Sequence, residues 1–451
     1  MSLRGWGSVL RATSALGLLA IASTQANAGG FAVHEQSVYG QGTSFAGIAA
    51  GGALSSMFWN PATMTQFPGK GLEVGASALF PYASNTPSAG STLLAPPFAA
   101  FGTAVGTLDT GNDALVANGY FTYQFSPNLW LGMSLNSPFG LSASFPDLWA
   151  GRDYAANSSK LVTYNAAPSL AYRFNDWISV GVGAQIQYAK ATLNKGATLA
   201  PGAFSDVALH GDGWAYGFTA GVTLTPTPTT TVGLGYRSAL NQDIDGWLLA
   251  TGGIAVFSNP SINTTVKLPD IVSLGIRQRV TPQFTLLGTA EWTNWSRIGT
   301  SNVLAASGLP ATIGPTAVTI PFQYKDGWFF ALGGEYQWSD RLTVRAGAAY
   351  EISPITDQVR TPLVPDNNRV WGSIGASWQV FRGFSFDLAY SHIWVQDPSI
   401  NITAVSGNPN FNGAINYVGS VNAHVDVLSL AMVYRWGAPE PAPVVRPIIA
   451  K

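Results

Sequence analysis

The sequence predicts an all-β fold: a fourteen-stranded antiparallel transmembrane β-barrel plugged by a small N-terminal hatch. Three observations carry this. From about Gly71 to Trp436 apolar and polar residues alternate in roughly fourteen stretches, each near the length of about ten residues that a tilted strand needs to cross a bilayer. The joints alternate too. Tight ones (Ser126-Pro127-Asn128, Asn175-Asp176, Ser339-Asp340, Arg382-Gly383) take turns with long polar, Gly- and Pro-rich segments. Finally, only 10% of residues are charged, yet the mean hydropathy is just +0.17. No run after the N-terminus supplies the roughly 18 apolar residues of a helical span. A barrel wall produces this combination because every second residue faces a polar lumen. The 15 Trp and 16 Tyr suit the two membrane interfaces, and the 50 Gly suit turns and close strand contacts. The chain is thus expected in a bacterial outer membrane, as a pore or carrier.

Residues 1–28 read as a signal peptide. Arg4 and Arg11 flank a short apolar core, Ala12 to Ser23, and Ala26-Asn27-Ala28 is a small-x-small cleavage pattern that makes Gly29 the new N-terminus. Residues 29–68 do not alternate; they are rich in Gly, Ala and Ser. A segment of small, weakly charged residues ahead of the first strand fits better as a plug in the lumen than as a free periplasmic tail.

The barrel itself is assigned to 69–437. Its strands are expected at 71–81, 117–125, 129–137, 161–174, 177–192, 213–225, 230–244, 265–280, 283–297, 323–338, 341–352, 369–381, 384–396 and 423–436. Period two sets the faces. Leu342, Val344, Ala346, Ala348 and Tyr350 oppose Arg341, Thr343 and Arg345; Phe384, Phe386, Leu388 and Tyr390 oppose Asp387. A basic side chain at the lipid midplane costs about 2–4 kcal/mol, so Arg345 should point inward, and Asp387 with it. The long connections at 82–116, 141–160, 193–212, 246–264, 298–322, 353–368 and 397–422 are expected to be extracellular loops. Residues 438–451 form a Pro-rich periplasmic tail. A barrel that closes its own sheet is expected to be a monomer, in contact with outer-membrane lipid and lipopolysaccharide.

Several chemistries are disfavoured. A net charge of −1 provides no basic stripe for nucleic acid, and zero cysteines removes disulfides, thiolate metal sites and cysteine nucleophiles. The four histidines lack metal-ligand spacing, and no G-x-S-x-G elbow or phosphate-cradling glycine loop occurs. No enzyme, cofactor or metal is predicted.

Two local patterns stand out. In Asn136-Ser137-Pro138-Phe139-Gly140, proline withholds a ladder N–H and glycine permits a sharp bend, so wall pairing should weaken at the end of the third strand, or the strand simply stops there. Phe145-Pro146-Asp147-Leu148-Trp149 and Trp247-Leu248-Leu249 are apolar for extracellular loops. They form either an external capture groove or packing between loops over the mouth.

The segment GFAVHEQSVYGQGTSFAGIAAGGALSSMFWNPATM from Gly30 resembles the hatch of the long-chain fatty acid transporter (FadL) family. So do NSPFGL (136–141), GDGWAYGFTAGV (211–222) with GLGYRS (233–238), LPDIVSLGIRQRV (268–280), DGWFFALGGEYQWSDRLTVRAGAAYEISPI (326–355) and VPDNNRVWGSIGAS (364–377), in the family's order. The resemblance implies capture of a hydrophobic molecule by outer loops, binding inside the barrel, and sideways release through a gap beside a kinked third strand. Asn60-Pro61-Ala62 matches the family's hatch motif, read as a turn that positions the plug against the kinked strand, or else as an ordinary Asn-Pro turn. Lys195 matches a basic position of the family. Alternation turns Lys190 outward and Lys195 inward, and puts Lys325 on the inward face of Phe329, Ala331 and Glu335; both Lys195 and Lys325 also read as solvated rim lysines. The expected function is passive uptake of long-chain fatty acids. The alternatives are aromatic hydrocarbon uptake on the same fold, a general diffusion porin, or an adhesive or structural barrel.

Overall fold

The computed structural model describes residues 30–88, 91, 107–146, 149–200, 203–252, 260–305, 316–413 and 415–438. The predicted signal peptide, Leu148 and the predicted tail beyond 438 lie outside the described residues.

Among these residues fourteen antiparallel strands close into a barrel. They are β1 Lys70–Pro87, β2 Ala114–Ser126, β3 Leu129–Asn136, β4 Ser158–Arg173, β5 Ile178–Ala200, β6 Ala203–Thr227 and β7 Thr230–Arg237. The ring continues with β8 Ile271–Arg279, β9 Phe284–Thr293, β10 Gly327–Gln337, β11 Leu342–Ile352, β12 Arg369–Phe381, β13 Phe384–Val395 and β14 Tyr417–Trp436. Each pairs with the next, and β14 returns to β1 from Lys70↔Trp436 to Pro87↔Gly419. The alternation sorts the faces as its period requires. Leu388, Leu428 and Leu430 are exposed on the lipid side, whereas Arg345 and Asp387 are buried inside.

Two expected loops are largely sheet instead, and a third, 298–322, holds the paired strands Thr300–Ala305 and Thr316–Pro321. The β5–β6 ladder runs on through Lys195↔Val207 and Thr198↔Phe204, replacing the loop expected at 193–212. A second hairpin, Leu240–Gly252 with Ser261–Leu268, pairs along β6 and replaces most of the loop expected at 246–264. The alternation continues through both because one face of this raised sheet is buried. Leu209, Leu248, Ala250, Ile262 and Val303 cluster there with Leu193 and Val207. The predicted seventh and eighth strands are each broken, at 238–239 and 269–270. Pro269 offers no N–H, and the Ser238 hydroxyl, instead of a strand, accepts the Phe218 N–H at 2.8 Å.

The segment ahead of β1 lies inside the barrel, nearly all of it buried. It coils through a one-turn helix, Val38–Gln41, whose N-cap Ser37 accepts the Gly40 N–H at 2.9 Å, and three 3₁₀ turns. Asn60 caps the last of these turns by accepting from Ala62 N–H at 3.0 Å. Its amide donates to Ala49 O at 2.8 Å and to Val222 O on β6 at 3.0 Å. The wall makes room with glycine. A Cβ at Gly221 would stand 2.1 Å from Asn60 Oδ1, and one at Gly181 on β5 would stand 2.4 Å from Ala62 N. Gly221 and Gly181 are therefore docking points for the plug, whereas Gly211, Gly213 and Gly217 make room for the 238–245 segment. Asn60 and Ala62 seat against β5 and β6, and the 3₁₀ turn that the motif opens, Pro61–Gln66, also touches β3, where a Cβ at Gly132 would stand 2.2 Å from Met64 Sδ.

Charges pin the plug near the short-turn end. The Tyr39 hydroxyl donates to Glu335 Oε2 at 2.5 Å, Arg277 pairs with Glu335 Oε1, and Arg277 also donates to Gly51 O at 3.3 Å. Arg345 lies over the Tyr39 ring at 4.0 Å and 3.6 Å from Asp387 Oδ1. Higher in the lumen, His34 Nε2 meets Glu291 Oε1 at 3.1 Å and its ring stacks on Phe329.

Candidate functional site

The wall is interrupted at the end of β3. The β2–β3 ladder begins at Gly119↔Leu135, short of the start of β2 at Ala114. β3 leaves the wall after Asn136, and the chain rejoins β4 only at Gly140↔Val162. Between these points it bends inward onto the plug. Val33 N–H donates to Pro138 O at 2.9 Å, Gly140 N–H donates to Phe31 O at 2.8 Å, and Ala32 bridges to Phe139. The side chain of Gln36 holds the bend from within: its Nε2 donates to Ser137 O at 2.8 Å and its Oε1 accepts Ser137 N–H at 3.3 Å. Outside the break lies a groove of about 370 Å³ with Asn136, Ser137 and Asn165 in its lining and Tyr164, Ile186 and Trp214 on its lipid-side rim.

The Gln36 contact supports a direct prediction. Replacing Gln36 by Leu strands the Ser137 N–H and C=O, at a cost of about 1–3 kcal/mol for an unpaired buried group. Hydrogen exchange at Ser137 to Gly140 should accelerate in the variant, while the rest of the wall keeps its protection. Unchanged exchange there would show that Gln36 does not hold the bend.

Behind the bend is an apolar cavity of about 170 Å³. Phe31, Leu193, Leu209, Val266, Ile320 and Phe322 are among its walls, so it is bounded by the plug, the raised sheet and the loops together. Phe139 packs on Phe31, which lines the cavity, and on Trp295. A second cavity of about 330 Å³ adjoins it toward the long-loop end and shares Leu193, Ile320, Phe322, Leu363 and Val364. Lys195 is the one basic side chain among its described lining residues, beside Asp153, Asn410 and Asn412. Burial lowers the Lys195 ammonium below the ordinary lysine range, and Asp153 opposes that shift. A carboxylate arriving here would offset the desolvation of the charge. The two cavities together offer an alkyl chain an apolar wall and an anionic head the Lys195 ammonium at the mouth; Lys160 is also among the described residues lining the apolar cavity.

Residues 19–436 match the family model described as outer membrane protein transport protein (OMPP1/FadL/TodX). The chain belongs to this family. It is 30% identical over 419 residues to the long-chain fatty acid transport protein of Salmonella typhi, covering 85% of this chain and 91% of that one. Among solved structures it resembles a Pseudomonas aeruginosa FadL homologue (TM-score 0.79, 22% identity, 90% of this chain and 100% of that chain). It also resembles the Pseudomonas putida toluene transporter TodX (TM-score 0.67, 16% identity, 90% and 99%). The protein is an outer-membrane barrel of the FadL/TodX kind.

Within this FadL-family barrel the sequence-selected residues separate into groups. Lys195 lines the mouth cavity. Lys325 does not: it is exposed and lines none of the described cavities. The residues before Gly327 are not strand, so the face assigned to Lys325 by counting back along β10 does not reach it. Phe145 and Trp149 are buried rather than displayed. Their rings stack at 5.0 Å, Trp149 Nε1–H donates to Ala155 O at 2.8 Å, and both sit in a cluster with Ile400, Ile402 and Tyr417. Of the two readings for this segment, loop packing is the one present. Trp247 is exposed on the outer side of the raised sheet, stacked on His210 and absent from both cavities. Asn136, Pro138, Phe139 and Gly140 converge on the wall break. Sequence reasoning missed Gln36, Asn165 and most of the apolar cavity. The cavity's signal was available, since Leu193, Leu209 and Ile262 continue the inward period through segments read as loops.

Proposed function

We propose that this protein carries long-chain fatty acids passively across the outer membrane. The alkyl chain occupies the apolar cavity, the carboxylate rests on Lys195, and the molecule leaves sideways through the break beside Asn136 to Gly140. The observation that carries this reading is the junction of an apolar cavity, which reaches Thr163 beside the wall break, with a mouth where Lys195 is the one basic side chain among the described lining residues. Lateral exit suits such a ligand because each methylene gains about 0.8 kcal/mol in the acyl layer rather than in water. The plug blocks the aqueous route that a general porin needs, and a wall closed from β1 to β14 leaves the monomer as the working unit, with lipid and lipopolysaccharide around its exposed aromatics.

Aromatic hydrocarbon uptake is the second reading, favoured by how few polar groups face the 170 Å³ cavity. Lys195→Ala separates the two. Removing a buried charge-assisted contact worth about 1.5–3 kcal/mol should weaken oleate binding by roughly ten- to a hundredfold and leave toluene binding unchanged. Calorimetry on the purified protein reads both. Oleate binding indifferent to Lys195, with tight toluene binding, would move the protein to the hydrocarbon branch.

A further inference from the structure

We infer that the amide pair at the wall break, Asn136 and Asn165, receives the head group of the departing ligand as a neutral carboxylic acid. The inference rests on the fatty acid reading above and adds to it a binding site with a stated protonation form. Asn136 is the last residue of β3, and Asn165 is its ladder partner on β4. Both are almost fully buried, at 5% and 2% exposure, and both line the groove outside the break. One hydrogen bond joins them, from Asn165 Nδ2 to Asn136 Oδ1 at 3.0 Å. Asn136 Nδ2 and Asn165 Oδ1 are left with no hydrogen-bond partner. The Tyr120 hydroxyl lies beside the Asn136 amide, but it donates to Gln36 O at 2.5 Å, and the amide nitrogen has a second hydrogen. Reversing both amides would exchange their roles and still leave one donor and one acceptor.

Buried polar groups in folded proteins are almost always satisfied, so an adjacent unsatisfied donor and acceptor at an opening point to a ligand that supplies the complement. A carboxylate is acceptor-only and would set a lone pair against Asn165 Oδ1. A protonated acid fits both atoms: its carbonyl accepts from Asn136 and its O–H donates to Asn165. No Lys, Arg, His, Asp or Glu is among the described residues that line the groove. An ionised head would therefore be desolvated there without a counter-ion, at a far greater cost than a hydrogen-bonded neutral one. The ligand is thus held as the anion at Lys195 and as the acid at the break. It takes up one proton from the aqueous phase of the mouth on the way, and the product is the uncharged form that enters the acyl layer.

The test compares transfer into reconstituted bilayers for oleic acid, oleyl alcohol, methyl oleate and hexadecane, in the wild type and in Asn165→Leu. In the wild type, the alcohol, which has an O–H, should cross faster than the ester, which lacks one. Asn165→Leu should slow oleic acid on the order of five- to tenfold, the loss of one buried hydrogen bond, and erase the alcohol–ester difference. Hexadecane transfer and equilibrium oleate binding should not change. Equal slowing of hexadecane, or alcohol and ester crossing alike in the wild type, would overturn the inference and leave the amides as wall structure. A wild type that binds no oleate at equilibrium would instead overturn the fatty acid reading from which the inference starts.

Discussion

Ala191→Trp should abolish saturable binding of oleate and of toluene while the barrel stays folded. Ala191 stands on β5 between Leu161 and Gly211, on the inward face that also holds Ala189 and Leu193, and it lines the apolar cavity. An indole at this point fills much of a space of about 170 Å³. Excluding even four methylenes of a bound chain forfeits about 3 kcal/mol at ~0.8 kcal/mol each, roughly a hundredfold in Kd. Calorimetry with both ligands reads the loss, and heat-modifiable mobility in detergent confirms the fold. The pattern differs from that of Lys195→Ala, which should spare toluene. Retention of both affinities in Ala191→Trp would place the ligand elsewhere.

Glu335→Leu should destabilise the plug severely. Glu335 accepts from Tyr39 and Arg277, and its Oε2 lies 3.7 Å from Arg345 Nε. Removing the carboxylate leaves two guanidiniums facing one another within the barrel, with Asp387 near only the second. Breaking a buried ion pair from one side costs about 3–5 kcal/mol. Because Tyr39 and Arg277 are among the links between plug and wall at this end, beside Trp130 to Phe67 O and Arg173 to Thr65 O, that cost falls on plug seating before it falls on the wall ladder. Single-channel recording should show a conductance in Glu335→Leu that the wild type lacks, together with a lower thermal transition. A silent, fully stable variant would show that the aromatic and glycine contacts of the plug suffice without the charges.

The barrel was legible in the sequence because period two leaves a direct mark: Leu388 and Leu430 outside and Asp387 inside follow from counting alone. The kink was legible because Pro138 cannot donate and Gly140 can bend. Less legible was anything set by contact between distant segments. Nothing in Gln36 announces that it clamps Ser137, and nothing in Asn165 announces that it is left half-satisfied beside Asn136. Lys325 shows the limit of counting, since the face of a strand says nothing about a residue beyond the strand's end. Phe145 and Trp149 show a related limit. An apolar loop segment has two destinies, and the neighbours that decided between them, Ile400, Ile402 and Tyr417, lie far along the chain.

The central claim is that a chain-bearing acid lies in the apolar cavity with its head toward Lys195. A crystal structure of the protein soaked with a terminally brominated C18 fatty acid tests it most directly, because the bromine marks the chain end by anomalous scattering. One bromine peak is expected within the cavity walled by Leu209, Val266 and Phe322, with carboxylate density beside Lys195 Nζ. Bromine confined to the lipid-facing surface, with the cavity empty, would contradict it.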